Sequence, residues 1–233
     1  MDSKVREILN KLQKQSRPNA LPHLAKYGIN IDAAYGVSIP DLRKLAKESG
    51  KSHSLAIALW KTGIHDARIL ASMVDERELV TEKQMNEWVR DFNSWDLCDQ
   101  CCNNLFVFTV HSEKKALEWS KNKKEFIKRA GFVLMAVQAV HHRDKTNDKF
   151  INYFDIIKRE AYDERNFVKK AVNWALRQIG KRNWELNTMA LEVCDELRKK
   201  DSKAARWIAL DAIKDLKSET AERRIKASLK KHG

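Results

Sequence analysis

The sequence is poor in residues that interrupt helices, and it lacks long apolar runs. It has only 7 Gly and 3 Pro among 233 residues, which disfavours folds made of strands and many tight turns. No run of about 18 apolar residues occurs, and the N-terminal residues lack the charged-then-apolar order of a secretory signal. The sequence therefore predicts a soluble, cytoplasmic protein of helices joined by short turns, without a membrane partner.

Cysteine is also scarce, with 4 residues in the chain. Cys98, Cys101 and Cys102 are clustered and Cys194 stands alone, which does not suit a disulfide framework. The Cys98-x-x-Cys101 spacing resembles half of a zinc site, but no second Cys or His pair has the spacing to complete it. We therefore expect reduced thiols in the core, and neither a metal nor a cofactor.

Positive charge is what the sequence has in excess. There are 45 Lys and Arg against 32 Asp and Glu, a formal net charge of +13. Such an excess is typical of proteins that bind nucleic acid, although basic residues also serve solubility. The C-terminal run from Arg223 to His232 allows two interpretations, phosphate contacts or a solvated face, and the solvated face is favoured.

The helical pattern continues over residues 1–233 without a linker, which favours a single domain. After Asn147 it consists of helix pairs of similar size. Lys170 follows Arg129 by 41 positions, and Arg206 follows Lys170 by 36, a spacing expected of HEAT-type repeats. The sequence predicts an all-α, HEAT-like solenoid whose concave basic face suits a rod-shaped polyanion such as duplex DNA. The predicted N-caps are Ser38, Thr81, Ser94, Asp163, Asp201 and Ser218.

A helix that begins at Trp95 is the first candidate for chemistry. At 100° per residue, Trp95 and Asp99 share a face roughly opposite to the apolar one. One interpretation is a Trp packed against a neighbouring helix beside a solvated carboxylate. The other is a functional pair. The apolar face comprises Leu97, Cys101, Asn104, Leu105 and Phe108.

The predicted helix after Asp163 is the second candidate. Trp174 projects away from its core stripe and lies beside Lys170, Arg177 and Lys181. An aromatic ring within a basic stripe suits a nucleic-acid surface, because cations meet phosphates and the ring stacks on sugar or base. A Trp packed against the preceding helix, with basic side chains extending past it, is an equal alternative.

Arg129 is the third candidate, since it lies early in a largely apolar helix. A buried guanidinium needs a carboxylate or a phosphate partner. Asp99 or a phosphate would serve, and a structural salt bridge is as well supported as a substrate contact.

Several motifs, in this order along most of the chain, resemble the AlkD family of DNA alkylation repair glycosylases. They are Gly36-Val-Ser-Ile-Pro40-Asp-Leu-Arg43, Leu59-Trp60 followed by Asp66-Ala-Arg68, Ser94-Trp95-Asp96-Leu-Cys-Asp99, Lys128-Arg129-Ala130 and Lys169-Lys170-Ala171-Val-Asn-Trp174-Ala-Leu-Arg177. The Trp-x-x-x-Asp and Trp-x-x-Arg elements are specific as a set.

This resemblance implies a HEAT-like glycosylase that acts, expected as a monomer, on double-stranded DNA with alkylated bases. By similarity, Trp95 and Asp99 face the deoxyribose of the lesion, Trp174 lies across the cleft, and Arg129 completes the catalytic group. Arg177 matches a contact to the DNA backbone, and Tyr27 falls near a DNA-contacting tyrosine. Lys170 and Lys181 are expected to contact DNA with them.

The implied chemistry needs few groups. N3-methyladenine and N7-methylguanine are cationic, so they leave without a general acid, and one carboxylate can stabilise the oxocarbenium-like sugar and orient a water. The family is thought to act without flipping the base into a tight pocket. Two alternatives stay open, namely a non-catalytic HEAT-like module for bent, branched or damaged nucleic acid and a protein-binding solenoid.

Overall fold

The computed structural model describes residues 3–229, so Lys230, Lys231 and His232 of the basic C-terminal run lie outside the described residues. Within this range the chain forms helices and no strand, which confirms the predicted all-α class. The helices are α1 (Ser3–Lys14), α2 (Leu21–Lys26), α3 (Ile39–Ser49), α4 (His53–Lys61), α5 (His65–Val74), α6 (Glu82–Trp88), α7 (Trp95–Asn104), α8 (Ser112–Trp119), α9 (Glu125–His141), α10 (Asn147–Glu160), α11 (Asn166–Gly180), α12 (Trp184–Arg198), α13 (Lys203–Leu216) and α14 (Glu219–Leu229).

The chain divides into two compact units, Met1–Ser112 and Glu113–Gly233. Each unit has its own buried apolar core. The single domain expected from the sequence stays a prediction. No helix in the described part of the chain is both long enough and apolar enough to cross a membrane.

In the first unit, α5 is the central helix, because α1, α3, α4 and α7 all pack against it. An aromatic cluster fixes the segment that leads to α7. Trp60 of α4 stacks on Trp88 of α6 with ring centroids 3.9 Å apart and planes 4° from parallel. Phe92 and Phe106 extend the cluster, and the Trp60 indole N–H donates to Asp91 at 2.8 Å. Buried aromatic area of this kind is a large contribution to core stability.

In the second unit, α9, α11 and α13 form one row in which each helix packs against the next, and α10 and α12 form another row. The two rows of consecutive helix pairs match the predicted HEAT-like repeat. Two buried amides join helices through their backbones. Asn173 donates to the Ile208 carbonyl at 3.1 Å, and Asn187 donates to the Gly180 carbonyl at 3.1 Å.

The predicted N-caps have mixed outcomes. The side chains of Ser38, Thr81 and Ser218 accept backbone N–H groups of the first helical turn, which confirms those three. Asp163 and Asp201 are wrong. Helix α11 begins only at Asn166, because Asp163 accepts from the Arg165 backbone and side chain instead. Helix α13 is capped one residue later, by the hydroxyl of Ser202.

Candidate functional site

Helix α7 begins at Trp95, as predicted, but Ser94 starts it by another route. Its backbone carbonyl accepts from the Cys98 N–H at 3.3 Å, while its hydroxyl donates to Asp96 Oδ1 at 2.7 Å. The predicted side-chain cap by Ser94 is therefore wrong. The hydroxyl donates to the Asp96 carboxylate instead of accepting from a backbone N–H of the first turn, because hydrogen bonds to ionised groups are the stronger ones.

Asp96 links this helix start to α5. Its Oδ2 lies 2.8 Å from His65 Nε2, and both side chains are largely buried. Burial alone would lower the pKa of His65, but the hydrogen bond and charge of Asp96 outweigh it and raise that pKa. Burial alone would likewise raise the pKa of Asp96, yet His65 and the Ser94 hydroxyl lower it. The pair thus favours its charged form and fixes the N-terminus of α7.

Trp95 is held by a second contact within the first unit. Its indole N–H donates to the Tyr27 carbonyl at 2.8 Å. Tyr27 follows the last residue of α2, where backbone carbonyls lack intrahelical partners. Gly28, at φ 78°, turns the chain away. The two predicted residues Tyr27 and Trp95, 68 positions apart, therefore meet directly.

Tyr27 leaves its ring to solvent while its carbonyl is occupied. The side chain is 60% exposed, and it makes an edge contact with His23 at a centroid distance of 4.9 Å. An exposed aromatic ring is a surface on which a sugar or base can stack.

Asp99 lies one turn after Trp95 on α7, and both are half-buried. On the opposite face of the helix Leu97 and Cys101 are buried, and Cys98 and Cys102 at its sides are buried as well. All four cysteines of the chain are buried free thiols, as predicted. Burial raises the pKa of the Cys101 thiol well above its usual value. In the described part of the chain, no group of His, Cys, Asp or Glu side chains is arranged to hold a metal.

Asp66 supports this region, and the sequence pattern did not identify its role. It is 2% exposed and accepts from the backbone N–H groups of Tyr35 at 2.6 Å and Val37 at 2.7 Å. It thereby fixes the loop that precedes α3. In the sequence Asp66 appears only as part of the Asp66-Ala-Arg68 motif, which gives no role for its carboxylate.

In the second unit, Trp174 lies half-buried on α11 and Lys170, one turn earlier, is exposed. The other two basic residues of the predicted stripe have acidic partners on α13. Lys181 Nζ lies 2.6 Å from Asp215, and Arg177 Nη1 lies 3.6 Å from the same carboxylate. The stripe is therefore less positive than the sequence suggests, and Lys170 is its most accessible cation.

Arg129 is 5% exposed on α9. Its Nη1 donates to the Phe167 carbonyl near the start of α11 at 2.6 Å, a partner that the sequence did not suggest. The neighbouring Lys128 pairs with Glu160 and Asp163. Burial alone would raise the pKa of Asp163, but Arg165 and Lys128 lower it to about 2.

Comparisons with known proteins agree with this architecture. A family model described as a DNA alkylation repair enzyme matches residues 8–226. One similar solved structure is described as "a new family of proteins related to the HEAT-like repeat DNA glycosylases with affinity for branched DNA structures". Its TM-score is 0.76 at 16% identity, over 92% of this chain and 95% of that one, a likeness that shows the fold. A search of curated proteins finds no match.

Proposed function

Because the chain belongs to the family of DNA alkylation repair enzymes, we propose that it is a DNA glycosylase for alkylated purines. The reaction is hydrolysis of the N-glycosidic bond of N3-methyladenine or N7-methylguanine in duplex DNA. The observation that carries this proposal is the Trp95–Asp99 pair, one turn apart on the outer face of a helix whose start is fixed by Tyr27 and His65.

The substrate determines how little the protein must supply. A methylated purine of this kind carries positive charge, so it departs as a neutral base when the C1′–N bond breaks. The bonding electrons go to the base, and the sugar becomes an oxocarbenium-like cation. The enzyme then needs to stabilise that cation and to place a water at C1′, which requires neither a general acid nor a pair of carboxylates.

Within the first unit, Asp99 is the proposed catalytic carboxylate. Its negative charge would stabilise the cationic sugar, and its oxygens would accept a hydrogen bond from the attacking water. The electron-rich face of Trp95 would stabilise the same charge through a cation–π contact. The bond to Tyr27 keeps the indole from rotating, which preserves the geometry without reorganisation during the reaction.

Within the second unit, Lys170, Arg177 and Lys181 are proposed to contact DNA, and Trp174 and Arg129 are proposed to belong to the catalytic group. Support comes from the exposure of Lys170 and from the half-exposed ring of Trp174 on the same face of α11. The bond from Arg129 to the Phe167 carbonyl fixes the guanidinium, and such fixed cations suit phosphate contacts.

A second function has one specific observation in its favour. The similar solved structure is described as having affinity for branched DNA. We keep a non-catalytic module for bent, branched or damaged DNA as the alternative. That module would bind DNA with steep salt dependence and would release no base.

The decisive experiment compares base release by the wild-type protein and by Asp99→Asn. We expect the wild type to release N7-methylguanine and N3-methyladenine from methylated duplex DNA. Asp99→Asn should lower that rate about 100-fold or more, the usual effect of removing one transition-state stabilising group, and should leave DNA affinity nearly unchanged. Asp155→Asn is the matched control, because Asp155 is 84% exposed and pairs only with surface cations.

Two results would overturn the proposal. Full activity in Asp99→Asn would remove the proposed carboxylate from the mechanism. Absence of base release by the wild type, with DNA binding retained, would favour the non-catalytic module.

A further inference from the structure

The second unit contains a basic pocket that the proposed glycosylase chemistry does not use. It has a volume of about 200 Å³, where a water takes roughly 30 Å³, so a phosphate group with several waters fits in it. Five cations line it, and no carboxylate is among its described lining residues. The five cations are Arg143, Lys145, Lys181, Arg182 and Arg224, and the cavity that they line is called the basic pocket.

Arg182 and Arg224 of the basic pocket are held in place by neutral groups. Arg182 donates to the carbonyls of Ala139 at 2.9 Å and Lys145 at 3.1 Å, and its guanidinium lies 3.9 Å from the ring centre of Phe150. Arg224 donates to the side-chain oxygen of Gln178 at 2.9 Å. In the described chain, none of the three arginines forms an ion pair. The positive charges of Arg182 and Arg224 are therefore oriented but not neutralised by an ion pair.

The acidic groups near the basic pocket neutralise little of this charge. Asp215 holds Lys181 at 2.6 Å, and it also faces Arg177. Asp144 lies 3.7 Å from Lys145, but it is 74% exposed, so the pair is weak. The three arginines are left to repel one another.

Burial and neighbouring positive charge both act on Arg182 and Arg224. Burial, and after it the charge of Arg143, lowers the pKa of Arg182 to about 10. The same two causes lower the pKa of Arg224. Cations whose proton affinity falls because of neighbouring cations gain most from a bound anion.

The distribution of charge along the chain agrees with an anion partner here. Residues 1–112 contain 15 Lys and Arg against 14 Asp and Glu, whereas residues 113–233 contain 30 against 18. The net charges of the two segments are thus +1 and +12, so the second unit carries nearly all of the excess.

We propose that the basic pocket binds a phosphate group, and that a DNA strand supplies it. Lys181 and Arg182 directly follow α11, which carries Lys170 and Trp174, so the pocket and the proposed DNA-contacting residues share one rigid element. Guanidinium groups bind phosphate oxygens through two parallel hydrogen bonds, and Arg143 and Arg224 have N–H groups to spare for this. The inference concerns binding alone, so it does not require base release.

The test removes cations that do not support the fold. Arg182 is excluded because it holds two backbone carbonyls. Arg143→Gln/Arg224→Gln is the test variant, and Arg223→Gln is its matched control. Arg223 is the adjacent residue of α14, and its 77% exposed side chain pairs with Glu219. Helical content by circular dichroism confirms that each variant is folded.

Affinity for an undamaged duplex is measured by fluorescence anisotropy over a series of KCl concentrations, and calorimetry measures binding of inorganic phosphate. We expect the double variant to bind DNA about tenfold more weakly, with a salt slope shallower by about one to two, and Arg223→Gln to match the wild type. If the double variant loses phosphate binding but keeps its DNA affinity, the pocket is a site for free phosphate, and the inference that DNA supplies the phosphate is wrong.

Two further outcomes overturn the inference. One is unchanged binding of both DNA and phosphate by the double variant. The other is a loss of DNA affinity in Arg223→Gln that is as large per charge removed as the loss in the double variant, which would mean that net charge and not this pocket determines the affinity. A wild type that binds DNA through the pocket yet releases no base would refute the proposed glycosylase and leave the pocket in place.

Discussion

Single residues in this protein often serve two neighbours at once. Trp95 presents its ring beside Asp99 while its N–H satisfies the Tyr27 carbonyl at the end of α2. Asp96 accepts from the Ser94 hydroxyl with one oxygen and pairs with His65 through the other. The adjacent residues Trp95 and Asp96 therefore join α7 to two other elements of the first unit. A candidate site built on such a helix start is rigid without further packing around it.

Gly131 of the second unit has no room for a larger side chain. It lies within α9, where the backbone of residues 119–120 passes close by. A Cβ there would overlap the backbone nitrogen of Ser120 and would lie 2.8 Å from the Trp119 carbonyl carbon. Backbone atoms cannot move aside as a flexible side chain does.

We expect Gly131→Ala to destabilise the protein by about 1–3 kcal/mol. Helix propensity alone would give the opposite sign, since Ala is favoured over Gly by about 1 kcal/mol inside a helix. Urea unfolding at constant pH measures the difference. A variant as stable as the wild type, or more stable, would mean that α9 and the backbone of residues 119–120 move apart without a cost in stability.

At the scale of helices, the His65–Asp96 pair gives α5 and α7 a common pH dependence. The pKa of His65 is raised, so its contribution to stability is complete below the unfolded value of about 6.5 and is lost as pH rises through the folded value. The pKa of Asp96 is lowered, so its contribution is present above about 3.8 and is lost as pH falls through the folded value. The pair therefore stabilises most between these limits.

We expect His65→Gln to cost about 1–3 kcal/mol near pH 6, because a buried charge-assisted hydrogen bond is removed. The cost should shrink as pH rises above about 6.5, because the wild-type histidine then loses its proton at its raised pKa. Urea unfolding of both proteins from pH 5 to pH 8 measures this difference, and subtraction removes the titration of other groups. A cost that does not change over this range would show that the charge on His65 is irrelevant to its bond.

The sequence predicts the helices of this protein better than the contacts between them. Periodicity places the start of α7 at Trp95, where the structure has it. Helical periodicity also places Trp95 and Asp99 away from the core face of α7. The failed caps have other partners: the Ser94 hydroxyl donates to Asp96, and Asp163 accepts from Arg165. Asp163 also accepts from Lys128, 35 residues away, a contact that no local pattern shows.

The same limit applies to the candidate site. Asp215 neutralises Lys181 from 34 positions along the chain, and the Trp95–Tyr27 bond spans 68. Neither spacing follows from helical periodicity, because it depends on which helices become neighbours. The basic pocket is hidden for the same reason, since its cations come from the α9–α10 connection, the α11–α12 connection and α14.

At the scale of the whole molecule, the charge is divided unequally, with +12 of the net +13 in residues 113–233. The proposed catalytic carboxylate, by contrast, belongs to the nearly neutral first unit. A low net charge suits a carboxylate that must stabilise a cationic sugar, since nearby lysines would compete with the sugar for the carboxylate. Phosphate affinity is then expected to come mainly from the second unit.

This division predicts different effects for the loss of one positive charge from each unit. Lys170→Gln in the second unit should weaken binding to an undamaged duplex several-fold and make the salt slope shallower by about one, because one phosphate contact is lost. Lys61→Gln removes an equally exposed charge from the first unit and should leave both quantities within error of the wild type. Anisotropy titrations at several KCl concentrations compare the three proteins. Equal losses in the two variants would show that DNA responds to net charge alone, whereas a loss confined to Lys61→Gln would place the phosphate contacts in the first unit.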